Sequence, residues 1–269
     1  MESINSDNIT FNYFDQTTKT IKTKKINNLK HLTKLDLSYN QITEIDFPFE
    51  KSITIQEEII EIDNFENITH LDLYYNQIIE IKGILNLKNL THLNLSANKI
   101  KEMKELNHLP NLTHLILPGN QITEIKGINN LKNLTYLNLN CNQITEIDFS
   151  FEKSITMQQA QSACCTEIKG ANNLKNLTYL NLNCNQITTI KGIDNLTNLI
   201  VLLFTNNIIT EIQVELTNFI NLENFTINCN PIEYLNPQIK NFLKRQKFVQ
   251  NIYDKNIQEK VIKKKKLKH

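Results

Sequence analysis

Residues 134–147 read Leu-Thr-Tyr-Leu-Asn-Leu-Asn-Cys-Asn-Gln-Ile-Thr-Glu-Ile. The same frame, Leu-x-x-Leu-x-Leu-x-x-Asn-x-Ile-x-x-Ile, opens at Leu32, Ile68, Leu90, Leu112, Leu134, Leu177, Leu199 and Leu222. In the first half of the unit Leu137 and Leu139 alternate with Tyr136 and Asn138, the period of two of a short strand with one buried face. The period then changes to three: Ile125, Ile128, Leu131 and Leu134, and likewise Ile81, Ile84, Leu87 and Leu90, or Ile190, Ile193, Leu196 and Leu199. Three is the eclipsed spacing of a 3-10 turn, whereas an α-helical stripe alternates three and four. Such a unit cannot bury its apolar face alone. Stacked in parallel with its neighbours it forms one side of a solenoid.

Most units are 22 or 23 residues long, but Leu134 to Leu177 spans 43 and Leu32 to Ile68 spans 36. The longer gap reads as two units, the second disguised. Residues 155–168 align under 134–147, with an intact Thr-Glu-Ile-Lys-Gly half and a strand half that carries Gln158 for Leu and Ala163 for Asn. Splitting the shorter gap at Ile53 leaves a remnant, 53–67, too short for a coil. Residues 41–54 recur at 143–156 with only Pro48 replaced by Ser150, a mark of duplication. About nine coils result, and residues 155–165 are expected to be the weakest. The Asn column (Asn40, Asn76, Asn98, Asn120, Asn142, Asn185, Asn207, Asn230) falls where the chain leaves each strand, where a side-chain amide can satisfy backbone groups of a buried turn. Gly83, Gly127, Gly170 and Gly192 each stand two residues after an Ile, at a turn where a positive φ is easiest for glycine.

The strand Leu frame, the Asn column with Ile after it, and the Leu/Ile return at every third residue resemble the leucine-rich repeat family. The 22-residue length, and the ending Asn230-Pro231-Ile232 before a helix, resemble the subclass typified by the regulatory subunit of type-1 protein phosphatase. The resemblance implies an α/β leucine-rich repeat solenoid: a right-handed curved coil with a parallel concave sheet and mostly 3-10 turns on the convex side. The chain departs from that subclass in its two interruptions and in having no Trp. The expected organisation is an N-terminal cap over 1–31, a repeat array over 32–235 with irregular units at 53–67 and 155–176, a capping helix over 236–259 and a basic tail over 260–269. Asn236-Pro237 supplies the helix start, and Ile239, Phe242, Leu243, Val249 and Ile252 follow at helical spacing.

The net charge is +1, with the basic excess concentrated in the terminal KVIKKKKLKH. No apolar run reaches the ~18 residues of a membrane span, and MESINSDNITF has no charged start followed by an apolar stretch, so a cytoplasmic protein is expected. Five cysteines without pairing frames fit a reducing compartment. Triplets such as Asn89-Leu-Thr91 and Asn133-Leu-Thr135 read as by-products of the repeat. With Cys141 and Cys184 placed two coils apart, ~10 Å by the strand spacing, the pair lies beyond the ~7 Å limit for a disulfide. No phosphate loop, carboxylate pair or nucleophile frame appears, and neither a metal nor another cofactor is expected.

The outward strand positions define the candidate site. Lys34, His70, His92, His114, Tyr136, Tyr179, Val201 and Asn224 form one column. Asp36, Asp72, Asn94, Ile116, Asn138, Asn181, Leu203 and Thr226 form the next, with Tyr74 and Tyr75 beyond. At ~4.8 Å between strands, the three histidines should make a ladder running into Tyr136, and aromatic groups on a rigid surface are binding anchors. The expected partner-binding set is Asp36, His70, Asp72, Tyr74, His92, Asn94, His114, Tyr136, Asn138, Tyr179 and Asn181. The partner is expected to be a protein, with a phosphatase catalytic subunit implied by the resemblance and the chain monomeric by itself. The lysine tail supports the alternative of a nuclear or RNA-particle adaptor. Shared Zn²⁺ coordination by stacked imidazoles is disfavoured, because ligands in one row do not enclose a tetrahedral ion.

Overall fold

The computed structural model describes residues 8–10, 24–26, 33–45, 52–55, 58–62, 67–147, 149, 174–232, 235 and 237–245. In chain order the strands are β1 (Asn8–Thr10), β2 (Lys24–Ile26), β3 (Lys34–Asp36), β4 (Glu44–Ile45), β5 (Ser52–Ile55), β6 (Glu58–Ile62), β7 (His70–Asp72) and β8 (Glu80–Ile81). They continue with β9 (His92–Asn94), β10 (His114–Ile116), β11 (Tyr136–Asn138), β12 (Tyr179–Asn181), β13 (Thr189–Ile190), β14 (Val201–Leu203), β15 (Glu211–Ile212) and β16 (Asn224–Thr226). Helix α1 is Pro237–Arg245.

Each frame contributes one strand, and these eight, with β1 at the edge, pair in parallel and in register in the order β1-β3-β7-β9-β10-β11-β12-β14-β16. The chain is thus a parallel-sheet solenoid with one strand per coil. Its return side holds 3-10 turns at Ile84–Asn86, Lys104–His108 and Leu216–Asn218, as the period of three requires. Two short parallel pairs, β4 with β8 and β13 with β15, add a second line of ladder bonds along the turns. The described Leu and Ile of the frames fill one continuous core, most of them with no exposed surface, and Ile239 and Leu243 of α1 join it at the C-terminal end.

The Asn column is buried and built into that core. Asn120 shows its logic: Oδ1 accepts the Ile100 N–H of the preceding coil (3.0 Å), while Nδ2 donates to Leu95 (2.9 Å) and Leu117 (3.0 Å) carbonyls. Gly83, Gly127 and Gly192 adopt φ of 69°, 79° and 72°; Gly170 lies outside the described residues. At Gly127 a Cβ would stand 2.6 Å from Lys104 Cα, so the turn requires the absence of a side chain as well as the positive φ.

Two readings of the irregular spacings are corrected. Tyr136 pairs with Tyr179 and Asn138 with Asn181, so β11 and β12 are direct neighbours and no coil intervenes across the 43-residue gap. The physical reason is visible in the disguised unit: a strand half with Gln158 and Ala163 lacks both the apolar face that would seat it and the amide that would satisfy its turn. The array keeps its register by closing over the gap, with Phe149 buried at the departure and Leu174 at the return. Likewise β3 pairs directly with β7. The stretch read as a coil remnant at 53–67 contributes to an antiparallel hairpin, β5 with β6, and β6 pairs in parallel with β2. The ninth strand of the concave sheet is therefore β1 rather than a degenerate repeat. The expected weak coil at 155–165, Val249 and Ile252 of the capping helix, and the basic tail lie outside the described residues.

Candidate functional site: an aromatic ladder on the concave sheet

Register places the outward side chains of successive strands directly over one another. His70 and His92 stack with ring centroids 4.1 Å apart and 8° between planes, and His92 and His114 at 4.2 Å and 12°. His114 continues to Tyr136 at 5.5 Å, and Tyr136 to Tyr179 at 4.2 Å and 9°. Five rings on five coils thus form one half-buried column.

The threonine before each histidine fixes its ring. Nδ1 of His70, His92 and His114 lies 2.9, 2.8 and 2.9 Å from Oγ1 of Thr69, Thr91 and Thr113. Each hydroxyl also donates to the preceding coil's threonine carbonyl, at 3.1, 2.9 and 3.0 Å. Those carbonyls already accept two backbone N–H groups each, from the threonine and the histidine themselves. With its hydroxyl proton used there, each threonine oxygen is left to accept from the ring Nδ1–H.

Charge is unwelcome in the column. Burial, followed by His114, His70 and Lys34 nearby, pushes the His92 imidazole from 6.5 down to about 4. His70 is lowered by burial first, then by Lys34 and His114. Burial and the hydrogen bond with Tyr179 raise the Tyr136 phenol. Among the described residues no group of three or more His, Cys, Asp or Glu is arranged to hold a metal ion.

The neighbouring Asp/Asn column also has a structural task. Asp36, Asp72, Asn94, Asn138 and Asn181 each place Oδ1 2.8 to 3.1 Å from the backbone N–H two residues on. A side-chain oxygen that closes this turn accounts for the Asp/Asn choice, and Asn181 is only 7% exposed. Asp72 also accepts the Asn94 amide at 3.2 Å. A concavity of about 480 Å³ is lined by Lys34, Asp36, His70, Asp72, His92 and Asn94, so the histidine and acidic columns share one floor.

Tyr74 belongs to a cluster that the sequence indicated only in part. Its ring meets Tyr39 edge-on at 5.1 Å and 87°, and Tyr75 lies 5.0 Å from Tyr39. Tyr39 and Tyr75 are 47% and 59% exposed and hold φ of 61° and 54°, a left-handed conformation costly for a bulky side chain. Ala97, Gly119, Cys141, Cys184, Asn206 and Cys229 occupy the same column with the same sign of φ; Gly119 was its one sequence signal. The threonine column was also missed. Together with Asn67, Asn89, Asn111, Asn133, Asn176 and Asn198 it lines a rim groove of about 1640 Å³. Asn111, Asn133, Asn176 and Asn198 donate there to the preceding coil's carbonyls. The Asn-Leu-Thr triplets are therefore cross-coil hydrogen-bonding units.

Comparison with known proteins agrees with this architecture. Two family models, both for leucine-rich repeats, match the chain. One covers two repeat copies, at residues 66–108 and 110–151, and the other a single repeat, at 28–44 and 173–189. Among solved structures, internalin C2 of Listeria monocytogenes is 28% identical with a TM-score of 0.50, over 64% of this chain and 66% of its own. A leucine-rich repeat protein of Leptospira interrogans is 24% identical with a TM-score of 0.55, over 80% of this chain and 53% of its own. The ectodomain of a plant membrane receptor kinase from Arabidopsis thaliana, solved in complex with Casparian strip integrity factor 2, is 24% identical with a TM-score of 0.54. That match covers 76% of this chain and 22% of the other. The chain thus spans less than two thirds of each of these proteins, and the last two likenesses are of fold alone. The comparison with curated proteins gave no match.

Proposed function

We propose that this chain, a solenoid similar to leucine-rich repeat proteins, is a non-catalytic interaction scaffold that seats a protein partner on its concave face. The observation that carries this reading is the continuous ring column from His70 to Tyr179 on a rigid sheet. Ordering costs little on a preformed surface, and aromatic groups concentrate binding energy. The 22-residue unit supports a phosphatase catalytic subunit as that partner, with a monomeric scaffold working in the cytoplasm. The terminal lysine run favours a second reading, a nuclear or RNA-particle adaptor; deletion of 260–269 would then shift the protein between compartments.

The test is a pull-down from the source organism's lysate with wild type, a His70→Ala/His92→Ala/Tyr136→Ala/Tyr179→Ala variant, and a Lys104→Ala control on an exposed convex turn. A partner lost from the quadruple variant and kept by the control is the expected result. Equal recovery by all three baits would refute the concave-face reading.

A further inference from the structure

The closure of β11 onto β12 brings two cysteines together. Backbone bonds continue past the strands, from Leu139 N–H to the Asn181 carbonyl (2.9 Å) and from Cys141 N–H to the Asn183 carbonyl (3.0 Å). Cys141 and Cys184 therefore occupy the same turn position on adjacent coils. Their φ values, 54° and 52°, show the same backbone conformation, so their Cα–Cβ bonds run side by side. One coil spacing is ~4.8 Å, inside the 4.4–6.8 Å range of disulfide-bonded Cα pairs. Cys141 is exposed and Cys184 half-exposed. The Asn206 amide, at the same position one coil further on, lies 3.6 Å from the Cys184 sulfur.

We propose that Cys141 and Cys184 are an oxidation site, forming a disulfide that staples the solenoid across the stretch of sequence between them. With oxidised glutathione as oxidant, the Cys184 thiolate attacks one glutathione sulfur. A Cys184–glutathione bond forms, the glutathione S–S bond breaks, and the first reduced glutathione leaves. The Cys141 thiolate then attacks the Cys184 sulfur and expels the second. The two thiol protons end on the two glutathiones, so two cysteines and one oxidised glutathione give one protein disulfide and two reduced glutathiones. The contact between the two side chains fits this step: burial first, then Cys184 and its hydrogen bond, raise the Cys141 thiol, as expected of neighbouring sulfurs that resist sharing a negative charge. The Cβ atoms must close by roughly 1 Å from the coil spacing to the ~3.8 Å of a disulfide, a movement asked of the turn and not of the packed core. Cys229 stands two coils from Cys184, beyond β14 on β16, and serves as an internal control.

The experiment uses the full chain with Cys164→Ser and Cys165→Ser, leaving three thiols, incubated with oxidised glutathione. The expected result is an intact mass lower by two hydrogens, a linked peptide containing Cys141 and Cys184, and a Cys229 that still alkylates. Adding Cys141→Ser should leave Cys184 as a stable glutathione adduct. Adducts on both Cys141 and Cys184 with no bond between them, pairing that involves Cys229, or disulfide-linked dimers would each overturn the proposal.

Discussion

Replacing Asn120 tests how the coils are held together. Its amide, 7% exposed, accepts from Ile100 N–H and donates to the Leu95 and Leu117 carbonyls. The carbonyls are shared: Leu95 also receives the Asn98 amide and Leu117 the Asn142 amide. In Asn120→Ala each carbonyl thus keeps a second side-chain donor, and the group left orphaned is Ile100 N–H. An unsatisfied buried donor costs about 1–3 kcal/mol, and each lost bond to an otherwise satisfied carbonyl about 0.5–1 kcal/mol. The sum, about 2–5 kcal/mol, is a large part of an ordinary domain's stability. Asn120→Asp should cost more despite its matching shape, because it keeps the acceptor but turns a carboxylate oxygen toward two carbonyl oxygens. Urea unfolding followed by far-UV circular dichroism gives both values. A loss below ~0.5 kcal/mol in the Ala variant, or an Asp variant as stable as wild type, would refute the assigned amide network.

Three further outcomes follow from the same geometry. Gly127→Ala should be severely destabilising because of the close approach to Lys104, whereas Gly119→Ala, whose nearest contacts are 3.6 Å, should cost only ~1 kcal/mol for its positive φ; thermal melts of the two variants compare them directly. Ala97→Gly relieves a φ of 54° and should raise stability by roughly 0.5 kcal/mol, measured in the same melts. The His92 imidazole, lowered from 6.5 to about 4, is neutral in the fold where the unfolded chain protonates, so stability is full above pH 6.5 and falls as pH drops toward 4. After discounting for solvent screening the loss is about 1–2 kcal/mol; a His92→Asn variant should flatten that part of a stability-versus-pH curve, and an unchanged slope would contradict the assignment.

The fold was legible because both periods of the unit are local. Two along Leu137 and Leu139, and three along Ile125, Ile128 and Leu131, each report a backbone geometry without reference to the rest of the chain. The ladder was legible for the same reason, since in-register repeats turn a sequence column into a spatial one. What failed was counting. Residue number between Leu134 and Leu177 measures chain length, whereas coil number depends on whether the intervening strand can bury a face and satisfy a turn. The resulting error also placed Cys141 and Cys184 two coils apart. The Thr–His contacts were invisible because they depend on how each imidazole turns on its strand, and the tyrosine trio because a left-handed φ at Tyr39 and Tyr75 has no signature in residue type.

The central claim, that the concave ladder is where a partner docks, is tested most directly by placing a photo-crosslinking phenylalanine analogue at His92 in one full-length protein and at Lys104 in another. Irradiation in the source organism's lysate should give a discrete protein adduct from position 92 and none from 104, with a phosphatase catalytic subunit as the adduct if the 22-residue subclass carries its partner with it. An adduct formed only at 104, or the same adduct from both positions, would contradict the account.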